Sequence, residues 1–445
     1  MKRTIYLMIC TLLSVQLFAQ QQPKPAQGYS LKEAVDYAKK YNQTIQNSRL
    51  DEQLSAKKIK ETRSIGLPQV SGEGRFAYSP QIPVIGIPNT NGMFGPDPLV
   101  KFPQGIDYSI TSSINASQLL FDGSFFMGLK AAKEFSLLSR YNTKKTEYDV
   151  ETDVIRAYCM VLTTEESIKL TESNILTIEK TRNDLKALAE QGLVEQTDFD
   201  RIDLSYSNLV LLRQQLHDAR YISYYSLKLQ MGMNVRDSIS LTDDLNTLYT
   251  ATAGDPDFAQ QLDYNKRPEY QMLTQQQKMH ELDKKRHQFG YAPSLAAFFQ
   301  HQQNAFGVQF RPMFNQFYPG TFVGLNLRVP IFDGFDKNAK VQQVKINIEK
   351  TERSKNQLEN AMELEVLSAR TTYTRSKEHV LIQQKNLALA QDIYKRINLK
   401  YQNGLSSSLD VVTTEKDLTE AQNNYLNAIY DMLIARATLK KALGQ

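Results

Sequence analysis

Proline is absent from residues 104–255 and again from residues 331–445, while six of the fifteen prolines crowd between Pro80 and Pro103. A proline inside a helix removes a hydrogen bond and clashes with the preceding turn, so the two proline-free tracts are candidates for long helices. Glycine, which ends helices and makes tight turns, is placed in keeping with this. None lies between Gly128 and Gly192 or between Gly192 and Gly232, and the second tract holds only Gly334, Gly404 and Gly444.

The spacings recur. Gly192 to Gly232 and Gly404 to Gly444 are 40 residues each. Phe121-Asp122-Gly123 returns as Phe332-Asp333-Gly334, with 69 residues from Gly123 to Gly192 and 70 from Gly334 to Gly404. Asn42-Gln43-Thr44-Ile45 and Leu67-Pro68 correspond to Arg267-Pro268-Glu269-Tyr270 and Ala292-Pro293 at one offset of 225. The chain therefore reads as one module of roughly 220 residues written twice. The halves are residues 21–235 and 236–445, the second including an equatorial segment at about 236–259.

Each half is expected to run helix, strand, strand, long helix, turn, shorter helix. In the first, a helix over about residues 30–64 opens on a capping box made by Ser30 and Glu33. Strands come next at about 69–80 and 107–121, then the helices across about 124–232. In the second, strands are expected at about 294–310 and 320–332 and helices across about 335–443. A long helix of about 67 residues measures roughly 100 Å. In the last helix Leu418, Ala421, Tyr425, Ala428, Met432, Ala435, Leu439 and Ala442 alternate steps of three and four, a narrow coiled-coil seam. Leu358, Met362, Ala369, Tyr373, Val380, Leu387, Ala390, Tyr394 and Ile397 lie on a similar track. Rods with so narrow a seam must bury it against neighbours, some from other chains.

The strand segments alternate with period two. Val323, Leu325, Leu327, Val329 and Ile331 alternate with Gly324, Asn326, Arg328 and Pro330; Tyr108, Ile110, Ile114, Ala116 and Leu120 alternate with Ser109, Thr111, Ser113, Asn115 and Ser117. One apolar and one polar face over about ten residues suits a barrel strand between lipid and a wet lumen. An ordinary half-buried sheet would show the same pattern in one strand. Four such strands with no second layer favour the barrel. Four strands cannot close one, since about eight is the practical minimum, so the chain is expected to oligomerise. The connections at residues 81–106 and 311–320 are expected to be irregular outer loops.

The N-terminus supports export. Lys2 and Arg3 precede an apolar run from Ile5 to Phe18, and Ala19 suits cleavage, so residues 1–20 read as a signal peptide. The formal charge is 53 − 48 = +5, or 51 − 48 = +3 once Lys2 and Arg3 are removed, too little for a nucleic-acid binder. Cys159 alone remains after the leader, so no internal disulfide is expected. His217, His280, His287, His301 and His379 are scattered, with no zinc spacing, and no nucleophile or phosphate-loop motif is present. No enzyme activity, metal or other cofactor is expected.

These features resemble the TolC-like outer-membrane efflux proteins, the exit ducts of tripartite pumps. The duplicated halves, the repeated FDG and two helical turns carry the resemblance: Gln191-Gly192-Leu193-Val194 with Thr197-Asp198, and Tyr401-Gln402-Asn403-Gly404-Leu405 with Leu409-Asp410-Val411-Val412. It implies a homotrimer with a 12-stranded barrel in outer-membrane lipid and a helical coiled-coil tunnel in the periplasm. It also implies tips at Gly192, Leu193, Gly404 and Leu405 that meet a periplasmic adaptor, itself joined to an inner-membrane pump of RND or ABC type. Asp410 occupies the place of a pore-facing aspartate, and Tyr401 with Asp198 that of a latch between neighbouring helices. The family's second aspartate is here Thr413 and its basic latch residue Ser406. Apart from the resemblance, helix capping is the plainer reading of both Asp198 and Asp410. The same fold would serve type I protein secretion, and a periplasmic coiled-coil scaffold would explain the helices but not the strands.

Overall fold

A computed structural model describes residues 27–88, 94–96, 98–251 and 261–445. The expected leader and the end of the equatorial segment lie outside them. The elements run β1 (Gln27–Tyr29), α1 (Leu31–Tyr41), α2 (Gln43–Ser64), β2 (Gln69–Tyr78), β3 (Val84–Pro88), β4 (Leu99–Pro103), β5 (Tyr108–Phe121), α3 (Gly123–Glu190) and α4 (Gln196–Met231). Then come β6 (Ile239–Leu241), α5 (Leu245–Ala251), α6 (Pro268–Phe289), β7 (Ser294–Gly307), β8 (Tyr318–Arg328), α7 (Asp336–Gln402) and α8 (Ser408–Leu443).

The chain forms two compact units. The described residues of the first fall within Met1–Leu50, Tyr141–Gln271 and Asn356–Gln445 and are mainly helical. Its core gathers Ala34, Ala38, Val154, Tyr158, Leu227, Met231, Tyr373, Ile429 and Leu439. β1 and β6 form a parallel pair at its margin, where Tyr158 Oη donates to the carbonyl of Tyr29 at 2.9 Å and to Asp243 Oδ2 at 3.1 Å. The buried stripe of α8 is wider than an a/d seam: Leu426, Ile429, Leu433 and Leu443 join Leu418, Ala428, Met432, Ala435, Leu439 and Ala442. In this stretch α8 packs against several elements at once, so a broader face is covered.

The second unit comprises Asp51–Arg140 and Met272–Lys355. It holds one four-stranded antiparallel sheet in the order β2-β5-β7-β8. The aspartates of the two FDG tripeptides cap the starts of α3 and α7. Asp122 Oδ1 accepts from the amides of Ser124 and Phe125 at 2.7 and 3.3 Å, and Asp333 Oδ2 accepts from the amide and ammonium of Lys337 at 3.2 and 2.9 Å. An aspartate at a helix start satisfies amides that have no intrahelical partner.

Three expectations need correction. The helix over 30–64 is broken at Asn42, whose backbone is extended (φ −60°, ψ 130°) and whose side chain donates to the carbonyl of Gln230 at 2.7 Å. The loop over 81–106 contains the β3–β4 hairpin. The last strand stops at Arg328, short of Ile331, because Pro330 has no amide to continue the ladder.

Candidate functional site

The helical unit ends in two turns built alike. After α3, the amides of Gly192 and Leu193 donate to the carbonyls of Ala189 and Leu188; after α7, those of Gly404 and Leu405 donate to Tyr401 and Lys400. These are Schellman motifs, and they need a left-handed residue, supplied by Gly192 (φ 70°) and Gly404 (φ 71°). Leu193 and Leu405 come next at 66% and 76% exposure, apolar side chains held out into solvent at both tips.

Asp198 and Asp410 occupy the same position, third residue after the cap of their helices, yet do different things. At α8, Ser407 Oγ accepts from the amide of Asp410, and Asp410 Oδ2 accepts from the amide of Ser407 at 3.0 Å and from the hydroxyls of Ser407 and Ser406 at 2.8 and 2.9 Å. These donors hold the Asp410 carboxyl below its usual range, the backbone bond first. At α4 the cap residue is Glu195, which makes no side-chain cap bond. Asp198 is thereby released from capping and accepts a hydrogen bond from Ser408 Oγ in the other tip. Ser408 is buried, and nothing in the serine run 406–408 marks it in the sequence. Tyr401 is partly buried beneath; burial first, and the charge of Asp198 second, push its phenol up to about 12. Asp198 is thus held by Ser408 rather than by Tyr401.

Beneath the tips lies an apolar cluster of Ile175, Ile178, Leu185, Ile202, Leu209 and Val411. Arg182 closes its flank, paired with Asp203 and placed over the Tyr206 ring at 5.0 Å from its centroid. This bracing was not legible in the sequence.

The register of the sheet fixes which residues share a face. Val323, Leu325 and Leu327 lie opposite Phe299, Ala297 and Leu295, and Ala116 joins Phe299 to Val70 across β5. The other face carries Ser113 opposite Gln302 and Thr111 opposite Asn304, with Glu73 and Arg75 on β2. On the apolar face, His301 Nδ1 and Thr321 Oγ1 satisfy each other at 2.8 Å. β2 and β8 are edges of this sheet. Among the described residues no helix is long and apolar enough to cross a membrane, and no group of three metal-ligating side chains occurs.

Residues 292–445 match the family model described as outer membrane efflux protein. Solved structures resemble the chain over nearly its whole length. CusC, described in terms of transmembrane channel formation, superposes with TM-score 0.73 at 16% identity, covering 96% of this chain and 95% of its own. The fold is that of the TolC-like outer-membrane efflux channels. The Campylobacter jejuni outer-membrane channel CmeC gives 0.73 at 14% identity over 93% of this chain and 85% of its own. The Vibrio cholerae outer-membrane protein VceC gives 0.69 at 13% over 93% and 96%. No curated protein sequence matches. The family model covers the second sheet hairpin and the two helices that follow it, and the structural likeness extends the same fold to the first half.

Proposed function

We propose that the chain is one protomer of a homotrimeric exit duct for a tripartite efflux pump, conducting passively and carrying out no catalysis. The sheet carries this reading. It has one apolar face with Val323 75% exposed, one face bearing amides, hydroxyls and the charges of Glu73 and Arg75, and two edges. Four strands of this kind become a barrel only with copies of themselves, and three copies give twelve. The helices support the same conclusion: Leu204, Leu211 and Ile222 on α4 and Leu381, Ile382 and Leu389 on α7 are exposed in the single chain. Neighbouring protomers would cover such positions.

In this assembly the tips around Gly192, Leu193, Gly404 and Leu405 receive a periplasmic adaptor, which links the duct to an inner-membrane pump of RND or ABC type. Asp410 supplies the charge at the narrow axis. Asp198, through Ser408, ties one tip to the other, and Tyr401 packs below. The test is purification in detergent, sizing by light scattering, and conductance in a planar bilayer. A trimer with discrete openings is expected. Release by osmotic shock as a detergent-independent monomer without conductance would refute the duct and leave a periplasmic scaffold.

A further inference from the structure

The seam between α8 and the α3–α4 hairpin changes character along its length. From Leu426 onward its buried residues are almost all apolar, whereas toward the tip they read Val411, Glu415, Leu418 and Gln422. Asn174 of α3 donates to Gln422 Oε1 at 2.7 Å and to Thr419 Oγ1 at 3.2 Å. Thr419 donates to Glu415 Oε1 at 2.9 Å, and Ser205 of α4 donates to Glu415 Oε2 at 3.0 Å. Asn174, Ser205, Glu415 and Gln422 are all buried. One continuous chain of hydrogen bonds therefore crosses three helices where an apolar seam would otherwise run.

A polar layer fixes register and gives up tightness. Parting an apolar seam exposes hydrocarbon to water. Parting this one exchanges hydrogen bonds for bonds to water, and water is near. A groove of about 450 Å³ between α4 and α8 is lined by Ser205, Glu415 and Thr419 together with Arg201, Lys416 and Glu420. We propose that Glu415 and the Asn174–Gln422 pair form a proton-sensitive clasp, the part of the seam that separates when the tips open, fastened when Glu415 is protonated.

The surroundings of Glu415 set the sign. Its hydrogen bonds come from hydroxyls, and no ion pair reaches it among the described residues. Tyr394 faces it from α7, and Glu415's charge adds to the burial that pushes that phenol up to about 12. Arg201 from α4 and Lys416 and Glu420 from α8 line the adjoining groove, and α3 contributes the uncharged Asn174. Burial raises the Glu415 carboxyl above its ordinary value, opposed by the two hydroxyl bonds. The packed clasp thus holds the proton more tightly than a parted, hydrated one. Above the ordinary carboxylate value, rising pH charges Glu415 and favours parting; acidification fastens it.

This inference rests on the duct reading, and the experiment separates the two. Conductance of wild type and Glu415→Gln is recorded between about pH 4.5 and 8. Wild-type opening should rise several-fold with pH, and E415Q should stay at the low acid level throughout. Every other carboxylate is common to both proteins, so an E415Q pH profile equal to wild type overturns the clasp and leaves the duct standing. A double variant, Asn174→Leu with Gln422→Leu, should open several-fold less at every pH; wild-type opening in it also overturns the clasp. If wild type forms no channel, the duct reading fails, and hydrogen exchange at residues 411–422 decides the clasp. Exchange there should quicken with pH in wild type and not in E415Q, and equal behaviour overturns it.

Discussion

Alanine at Gly232 and alanine at Gly404 should cost very different amounts, although both glycines close helices in the same left-handed turn. Their φ angles are 75° and 71°, so the backbone penalty for an L side chain is shared, at about 1 kcal/mol. At Gly404 that is the whole cost, because an added Cβ meets nothing within 4 Å. At Gly232 it would lie 2.4 Å from the Tyr41 carbonyl oxygen, 2.6 Å from Asn42 Cα and 2.7 Å from the Tyr41 carbonyl carbon. All three are backbone atoms, and they must retreat by roughly 1 Å to reach ordinary contact. That retreat pulls on the 2.7 Å bond from buried Asn42 to the Gln230 carbonyl, which joins α1 to the end of α4. Leaving those groups unpaired costs about 1–3 kcal/mol, and loosened packing around Ala38 and Ile45 adds to it. The sum is about 3–5 kcal/mol for Gly232→Ala against about 1 for Gly404→Ala. Thermal unfolding in one detergent, followed by circular dichroism, reads the difference, with hydrogen exchange at residues 42–46 as a local probe. Gly404→Ala should fall within about 2 °C of wild type; Gly232→Ala should melt several degrees lower and exchange faster at the α1–α2 break. Equal shifts would refute the argument, since they would mean that helix termination alone sets the cost.

Other substitutions test other contacts. Tyr158→Phe removes the hydroxyl that bonds Tyr29 and Asp243, and should cost about 1–2 kcal/mol, seen as faster exchange across the β1–β6 pair. Arg267→Met breaks bonds to Glu365 at 2.9 Å, Glu269 at 3.3 Å and the Ala442 carbonyl at 2.7 Å. The carboxylates keep some contact with water, so about 2–3 kcal/mol is expected in a denaturant titration, less than for a fully buried pair. Asp198→Asn should raise opening frequency and leave ion preference intact. Asp410→Asn should shift the reversal potential away from cation preference and change opening frequency less than twofold. If the two aspartates exchange these effects in bilayer recordings, the division of roles between the tips is wrong.

The long helices and the sheet were legible because their signals are local. Pro and Gly placement marks where helices can run and stop, and period-two alternation marks a sheet with two different faces. The break at Asn42 was not legible. Residues 30–64 contain neither Pro nor Gly, and the interruption comes from a partner nearly 190 positions away, the carbonyl of Gln230. The β3–β4 hairpin was hidden by the same prolines that made its surroundings read as loop: Pro88 and Pro103 sit at strand ends, where a missing amide is tolerated. The tips were half legible. The glycines and the paired aspartates could be read from spacing, but the sequence does not show that Asp410 closes on its own cap while Asp198 reaches Ser408. That difference stems from Ser407 and Glu195, the residues that begin the two helices.

The two edges of the sheet bear on the life of the chain before it assembles as proposed. β2 and β8 each present a row of amides and carbonyls to whatever lies alongside, on a surface whose apolar side chains are already turned outward. In water such a surface pairs indiscriminately, and aggregation competes with correct association at a rate that grows with concentration. The helical unit has its own core and can order first, while β2 and β8 have a strand partner on one side only, and in the proposed trimer a second copy supplies the other. For the proposed duct, assembly is therefore a race, and the step that protects β2 and β8 until the barrel closes governs how much chain survives it.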